Sequence, residues 1–241
     1  MKAIKLLLIL VVFLALGSYS IAQYRGDGPK QTVVNSLHDL RNRFTGATLV
    51  CEFCHFPHKT DMVISSPEAP LLWNVRLKTG PYTVYGGSST FYGDATVRDP
   101  SRASRANSAA YMTLLCLSCH DGTVTQAAWY DNMGLGGTGT FTAPNIGHGG
   151  TSGLSGTHPL DFVYSAALAT LDGGVKSPTE GGTVRIPYVG TPALPLFKDQ
   201  PTDVSGRVEC ATCHNPHSNA NGNFLRMSNA ASALCLNCHG V

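Results

Sequence analysis

Charge is scarce in this chain. Of its 241 residues, 17 are Lys or Arg and 15 are Asp or Glu, so charged residues make up 13 %, about half the roughly 25 % usual in soluble proteins. No basic stripe occurs, which argues against nucleic acid as a partner. Long apolar stretches are also missing, apart from the 11-residue run Leu6–Leu16. That run is short against the ~20 residues a membrane-spanning helix needs. Long periodic segments are rare too, because 26 Gly and 14 Pro put a breaker at about one position in six. A conventional core of long amphipathic helices is therefore excluded.

The apolar run follows the basic Met1–Lys5 and precedes small residues ending in Ser20-Ile21-Ala22. This three-part layout predicts a secretory signal peptide over 1–22, cut before Gln23. No cysteine sits at the cut, so no lipid anchor is expected there. An uncleaved anchor is the alternative reading. The expected mature chain, 23–241, has 15 basic and 15 acidic residues, since the removed segment holds Lys2, Lys5 and no acid. A chain so close to neutral does little to oppose self-association.

What is abundant is one motif. Cys-x-x-Cys-His occurs four times, as Cys51–Cys54–His55, Cys116–Cys119–His120, Cys210–Cys213–His214 and Cys235–Cys238–His239, and uses all eight cysteines. Two cysteines three apart can form thioethers to the two vinyl groups of one haem, and the adjacent histidine can then reach the iron. This is the attachment signature of c-type haem. The rival is zinc, since the last two cysteine pairs have near zinc-ribbon spacing. Zinc explains the cysteine pairs but not a histidine after each one. The expected cofactors are four haem c groups, with proximal ligands His55, His120, His214 and His239.

Four haems over the 219 residues after the cut leave about 55 residues per haem. The expected fold is mostly irregular and loop-rich, with short α-helices and a few short β-strands organised around four covalently bound haems c. One domain spans 23–241 and holds two related haem-pair units. The first motif resembles the third (Cys51–His58 and Cys210–His217), and the second resembles the fourth, so the order is A, B, A, B. Short helices are expected over 104–119 and 227–238, each leading into a B motif. Gly181–Leu196 alternates as a hairpin strand would.

The other histidines separate a wire from an enzyme. Five remain: His38, His58, His148, His158 and His217. Four distal ligands close four haems, and a haem closed on both faces transfers electrons without binding substrate at iron. His58 and His217 each lie three residues after a proximal histidine, across a proline. Neither can reach the far face of its own iron, but each can reach a second haem close by. His158, held extended by Pro159, and His38 complete the expected distal set, with His148 as the spare. Met62, Met112, Met133 and Met227 are the alternatives. Met112 and Met227 sit on expected helical approaches, where apolar packing explains them. No catalytic residue is assigned, and the expectation is an electron carrier. An open-iron oxyanion reductase is the less favoured alternative.

The chain resembles multihaem cytochromes with doubled Cys-x-x-Cys-His motifs. Ser36–Asp39, Cys51–His58, Leu72–Asn74, Cys116–Gly122, Thr157–Pro159, Cys210–His217, Phe224–Arg226 and Cys235–His239 carry the resemblance. It is also similar to the extracellular tetrahaem cytochromes that polymerise into filaments, of the outer-membrane cytochrome E type. That resemblance implies an exported protein at the cell surface, with copies of itself, redox proteins or extracellular acceptors as partners. It also implies a distal histidine donated between subunits, for which His38 is the first candidate and His158 the second. The alternative is a soluble periplasmic tetrahaem shuttle.

Overall fold

The computed structural model describes residues 33–44, 48–55, 73–77, 81–88, 97–102, 109–124, 129, 146, 153–178, 183–184, 194–199 and 202–240. The expected signal peptide, His58, His148, Met62 and Met133 lie outside the described residues. Among the described residues no helix is long and apolar enough to cross a membrane.

The longest element is helix α1, Ala110–His120, whose apolar residues are buried on nearly every side. It contains the whole second motif, and residues 104–108 of the helix expected over 104–119 lie outside the described residues. Its first residue has no local side-chain cap. The carboxylate of Asp199 instead accepts a hydrogen bond from the Ala109 backbone N–H at 3.0 Å. A remote acid thus satisfies a donor that the helix start leaves open.

Strand β1, Phe162–Tyr164, leads into helix α2, Ala166–Asp172. Ser165 caps that helix by accepting from the Leu168 N–H at 3.1 Å, and Gly173 ends it at φ 69°. Strands β2 (Thr183–Val184) and β3 (Leu194–Pro195) pair antiparallel, as a hairpin over 181–196 would have them; residues 185–193 lie outside the described residues. Strand β4, Gly206–Val208, pairs antiparallel with β1, Phe162 opposite Val208. Phe197 and Arg207 exchange backbone hydrogen bonds on the other side of β4. A Cβ at Gly206 would collide with Leu196 there, so this close approach needs glycine. Helix α3, Cys210–Cys213, is the third motif itself.

The segment 227–238 is not the helix that its apolar spacing predicts. It forms two 3₁₀ turns, Ala230–Ser232 and Cys235–Asn237. Ala231 and Ser232 both adopt positive φ, and the Asn229 side chain accepts from the Leu234 N–H at 3.1 Å. A local side-chain acceptor replaces a helical carbonyl, a competition to which Asn is prone.

Among the described residues the buried apolar side chains form three separate clusters. Phe162, Leu194 and Met227 belong to one, Phe44, Phe53 and Trp129 to another, and Tyr82, Leu114 and Leu117 to a third. Around the first runs a chain of ion pairs. Arg98 contacts Asp161 at 2.9 Å and Asp199 at 2.8 Å, and Arg207 contacts Asp199 at 3.1 Å.

Candidate haem sites

Each motif is one turn of helix. The His N–H donates to the first Cys carbonyl in His55 (2.8 Å), His214 (3.0 Å) and His239 (2.9 Å), and the second motif lies within α1. Positions i, i+3 and i+4 share one face of a helical turn. Both sulfurs and the imidazole of each motif are thereby presented together. All eight thiols are free. No three His, Cys, Asp or Glu side chains converge to hold a metal ion among the described residues, whereas a zinc ribbon needs four converging ligands.

Cysteines of successive motifs are neighbours. Burial first, and then Cys54, pushes the Cys119 thiol up to about 12. Cys210 is raised by its hydrogen bond with Cys116 first and by burial second. Cys213 is raised to about 11 by burial, then by Cys210 and Cys235. Next to Cys210, Glu209 is buried in a capping box and accepts from the Thr113 hydroxyl at 2.5 Å. Burial first, and then Asp161, raises its carboxyl well above the usual range.

The histidines meet in pairs. Ring centres lie 6.1 Å apart for His55 and His217, 6.0 Å for His38 and His120, and 6.4 Å for His158 and His239. Two imidazoles on one metal, at about 2.0 Å per nitrogen with each ring centre roughly 1.1 Å behind, have centres about 6.2 Å apart. Three of the four motif histidines therefore lie at the spacing from a second histidine that two imidazoles on one metal would have. His217 lies beside His55 of the first motif, the second nearby site that the x-Pro-His spacing calls for. His38, offered by the sequence as a ligand for another subunit, stands against His120 of its own chain.

The tautomers fit metal binding. His158 Nδ1 donates to the Pro159 carbonyl at 2.8 Å, and His214 Nδ1 to the Asn223 carbonyl at 3.0 Å. The Pro216 carbonyl accepts from His38. A second-shell carbonyl on one ring nitrogen leaves the other free for iron. Burial first, and then His120, lowers His38 to about 4; burial first also lowers His158. Burial thus favours the neutral imidazole at both, the form that binds metal. Phe224 stacks on His38 with centres 4.0 Å apart. Met227 is spent on the core, where its sulfur accepts from Asn237.

Three residues escaped the sequence reading. Asn74 donates its backbone N–H to the Cys54 carbonyl (2.9 Å) and its side-chain amide to the Glu52 carbonyl (2.7 Å). Arg226 does the same at the third motif, to Cys213 (2.9 Å) and Ala211 (2.7 Å). Lys176 does it at the fourth, to Cys238 (2.6 Å) and Leu236 (2.5 Å). The likeness of Leu72-Trp73-Asn74 to Phe224-Leu225-Arg226, each downstream of an A motif, was the available signal for the first two; Lys176 had none.

Residues 202–241 match the family model of the doubled CXXCH motif. No curated protein matches the chain. The matched motif is that of multihaem c-type cytochromes and indicates covalent haem c binding in an electron-transfer protein.

Proposed function

We propose that this chain is an exported electron carrier with four haem c groups, one per motif, each held between two histidines. The observation that carries this reading is the set of three facing histidine pairs at 6.0–6.4 Å. Haem c supplies a one-electron iron couple, and two nitrogen ligands leave no position for substrate. The chain's residues attach, orient and enclose: cysteines anchor, Nδ1–carbonyl bonds fix the rings, and Phe224 packs on His38. His214 is the proximal ligand of the remaining site, and by the repeat His58 is its distal candidate. The succession of neighbouring cysteines supports haems close enough for rapid electron hopping.

The finer reading is a subunit of an extracellular filament for long-range electron transport. It rests on the near-neutral composition and on the resemblance to polymerising tetrahaem cytochromes. In such a polymer a neighbour's His38 segment takes the place that the chain's own occupies beside His120, as in a domain swap. The periplasmic shuttle is the second reading, favoured by His38 already lying against His120 of the same chain.

Electron paramagnetic resonance and electron microscopy of secreted holoprotein test both levels. Four low-spin haems that do not bind cyanide are expected, and a high-spin iron in the native protein rejects the closed-site reading. Filaments support the polymer; particles of single-chain mass support the shuttle.

A further inference from the structure

One short segment crosses three of the four motifs in the same way. Trp73 bridges His55, Leu225 bridges His214 and Val175 bridges His239 as isolated antiparallel partners. The next residue in each case, Asn74, Arg226 or Lys176, locks its backbone N–H on the second cysteine's carbonyl and its side chain on the carbonyl after the first cysteine. In the second motif the corresponding carbonyl, that of Leu117, is taken by the backbone N–H of Asp121 at 3.1 Å. The donor is therefore neutral at the two N-terminal motifs and cationic at the two C-terminal ones.

Acids follow the opposite pattern. Glu52 lies inside the first motif, and the buried Asp121 directly follows the second. The corresponding positions at the third and fourth motifs are Ala211 and Leu236, and Asn215 and Gly240. Glu209 precedes the third motif and accepts from the Thr113 hydroxyl of α1 at 2.5 Å. Asp172 near the fourth is turned to the Gly174 N–H at 3.1 Å.

We propose that these crossing side chains rank the haem potentials, Arg226 and Lys176 making the third and fourth sites the higher-potential pair. The inference rests on the electron-transfer reading above. An electron arriving at a site adds one negative charge, which a fixed cation stabilises and a neutral amide does not. Arg226 and Lys176 are partly buried, so solvent and salt screen them less than exposed charges. Each is tied to a carbonyl of the loop that holds the haem, so its charge cannot swing away. Electrons then run downhill from the N-terminal to the C-terminal pair.

The test is a spectroelectrochemical titration of holoprotein, fitted as four one-electron steps. Arg226→Gln and Lys176→Gln are each expected to lower one of the two highest steps, by about tenfold in the reduction equilibrium, or about 59 mV. The double variant lowers both. Arg226→Lys keeps the wild-type profile. Glu52→Gln, which leaves every crossing residue intact, raises one of the two lowest steps by a similar factor and decides the matter if the other variants lose haem. Shifts confined to the wrong pair, or shifts below twofold in variants that load four low-spin haems, overturn the ranking. Wild-type protein without four low-spin haems would instead sink the electron-transfer reading.

Discussion

Asn223 and Phe224 carry the clearest residue-scale signature of a built ligand shell. Both adopt positive φ, 48° and 56°, a conformation costing roughly 1–2 kcal/mol for an L-residue. The strain aims the Asn223 carbonyl at His214 and the Phe224 ring at His38. Strain of this kind persists where the surroundings over-determine it. His217 could be singled out from sequence because three residues and a proline keep it off its own iron. Its partner could not, since that depends on how the first and third motifs pack. His217→Ala is expected to leave one haem of four five-coordinate, high-spin and able to bind cyanide, with the rest low-spin. Paramagnetic resonance with a cyanide titration measures this; a wholly low-spin, cyanide-inert variant would move the role to another residue.

At the scale of elements, local signals were legible and remote ones were not. The alternation after Gly181 anticipated the pairing of β2 with β3, and the helical spacing before Cys116 anticipated a helix. The acceptor for the Ala109 N–H at the start of α1, Asp199, was not legible because it lies 90 residues further along the chain. That acid also joins Arg98 and Arg207. Burial would raise its carboxyl, but the Arg98 hydrogen bond, the Ala109 N–H and both guanidinium charges hold it down to about 2, against an ordinary 3.8. A depressed acid stabilises the fold above its unfolded pKa, near 4, and that contribution fades as pH falls through 2. Asp199→Asn is therefore expected to destabilise the holoprotein at pH 7 by roughly 1–2 kcal/mol, after allowing for partial exposure. The gap to wild type closes between pH 4 and pH 2. Melting curves by circular dichroism over that range check the point, and a gap that persists at pH 2 would remove the ion pairs from the account.

For the molecule as a whole, the motif count was readable from the sequence, while the arrangement of ligands was not. A repeat A, B, A, B says that two units are related; it does not say that His217 crosses to the first motif or that a Lys from residue 176 closes the fourth. The same composition bears on folding. The described apolar residues divide into three small clusters, and partly buried Cys54, Cys119 and Cys238 lie against two of them. The cysteines that would anchor haem thus sit at the margins of the cores, where porphyrin would add apolar surface that the chain itself does not supply. With three separated clusters and breakers at one position in six, burial in the haem-free chain competes poorly with conformational entropy, about 1–2 kcal/mol per ordered backbone residue. Folding is then coupled to haem attachment, as ligation and folding are coupled in small metal-dependent domains. Chain expressed without haem maturation and kept reduced is expected to give a coil-like circular dichroism spectrum and no cooperative thermal transition, whereas the holoprotein melts sharply. A cooperative melt of the haem-free chain would show that the three clusters suffice, and that haem is added to a fold already made.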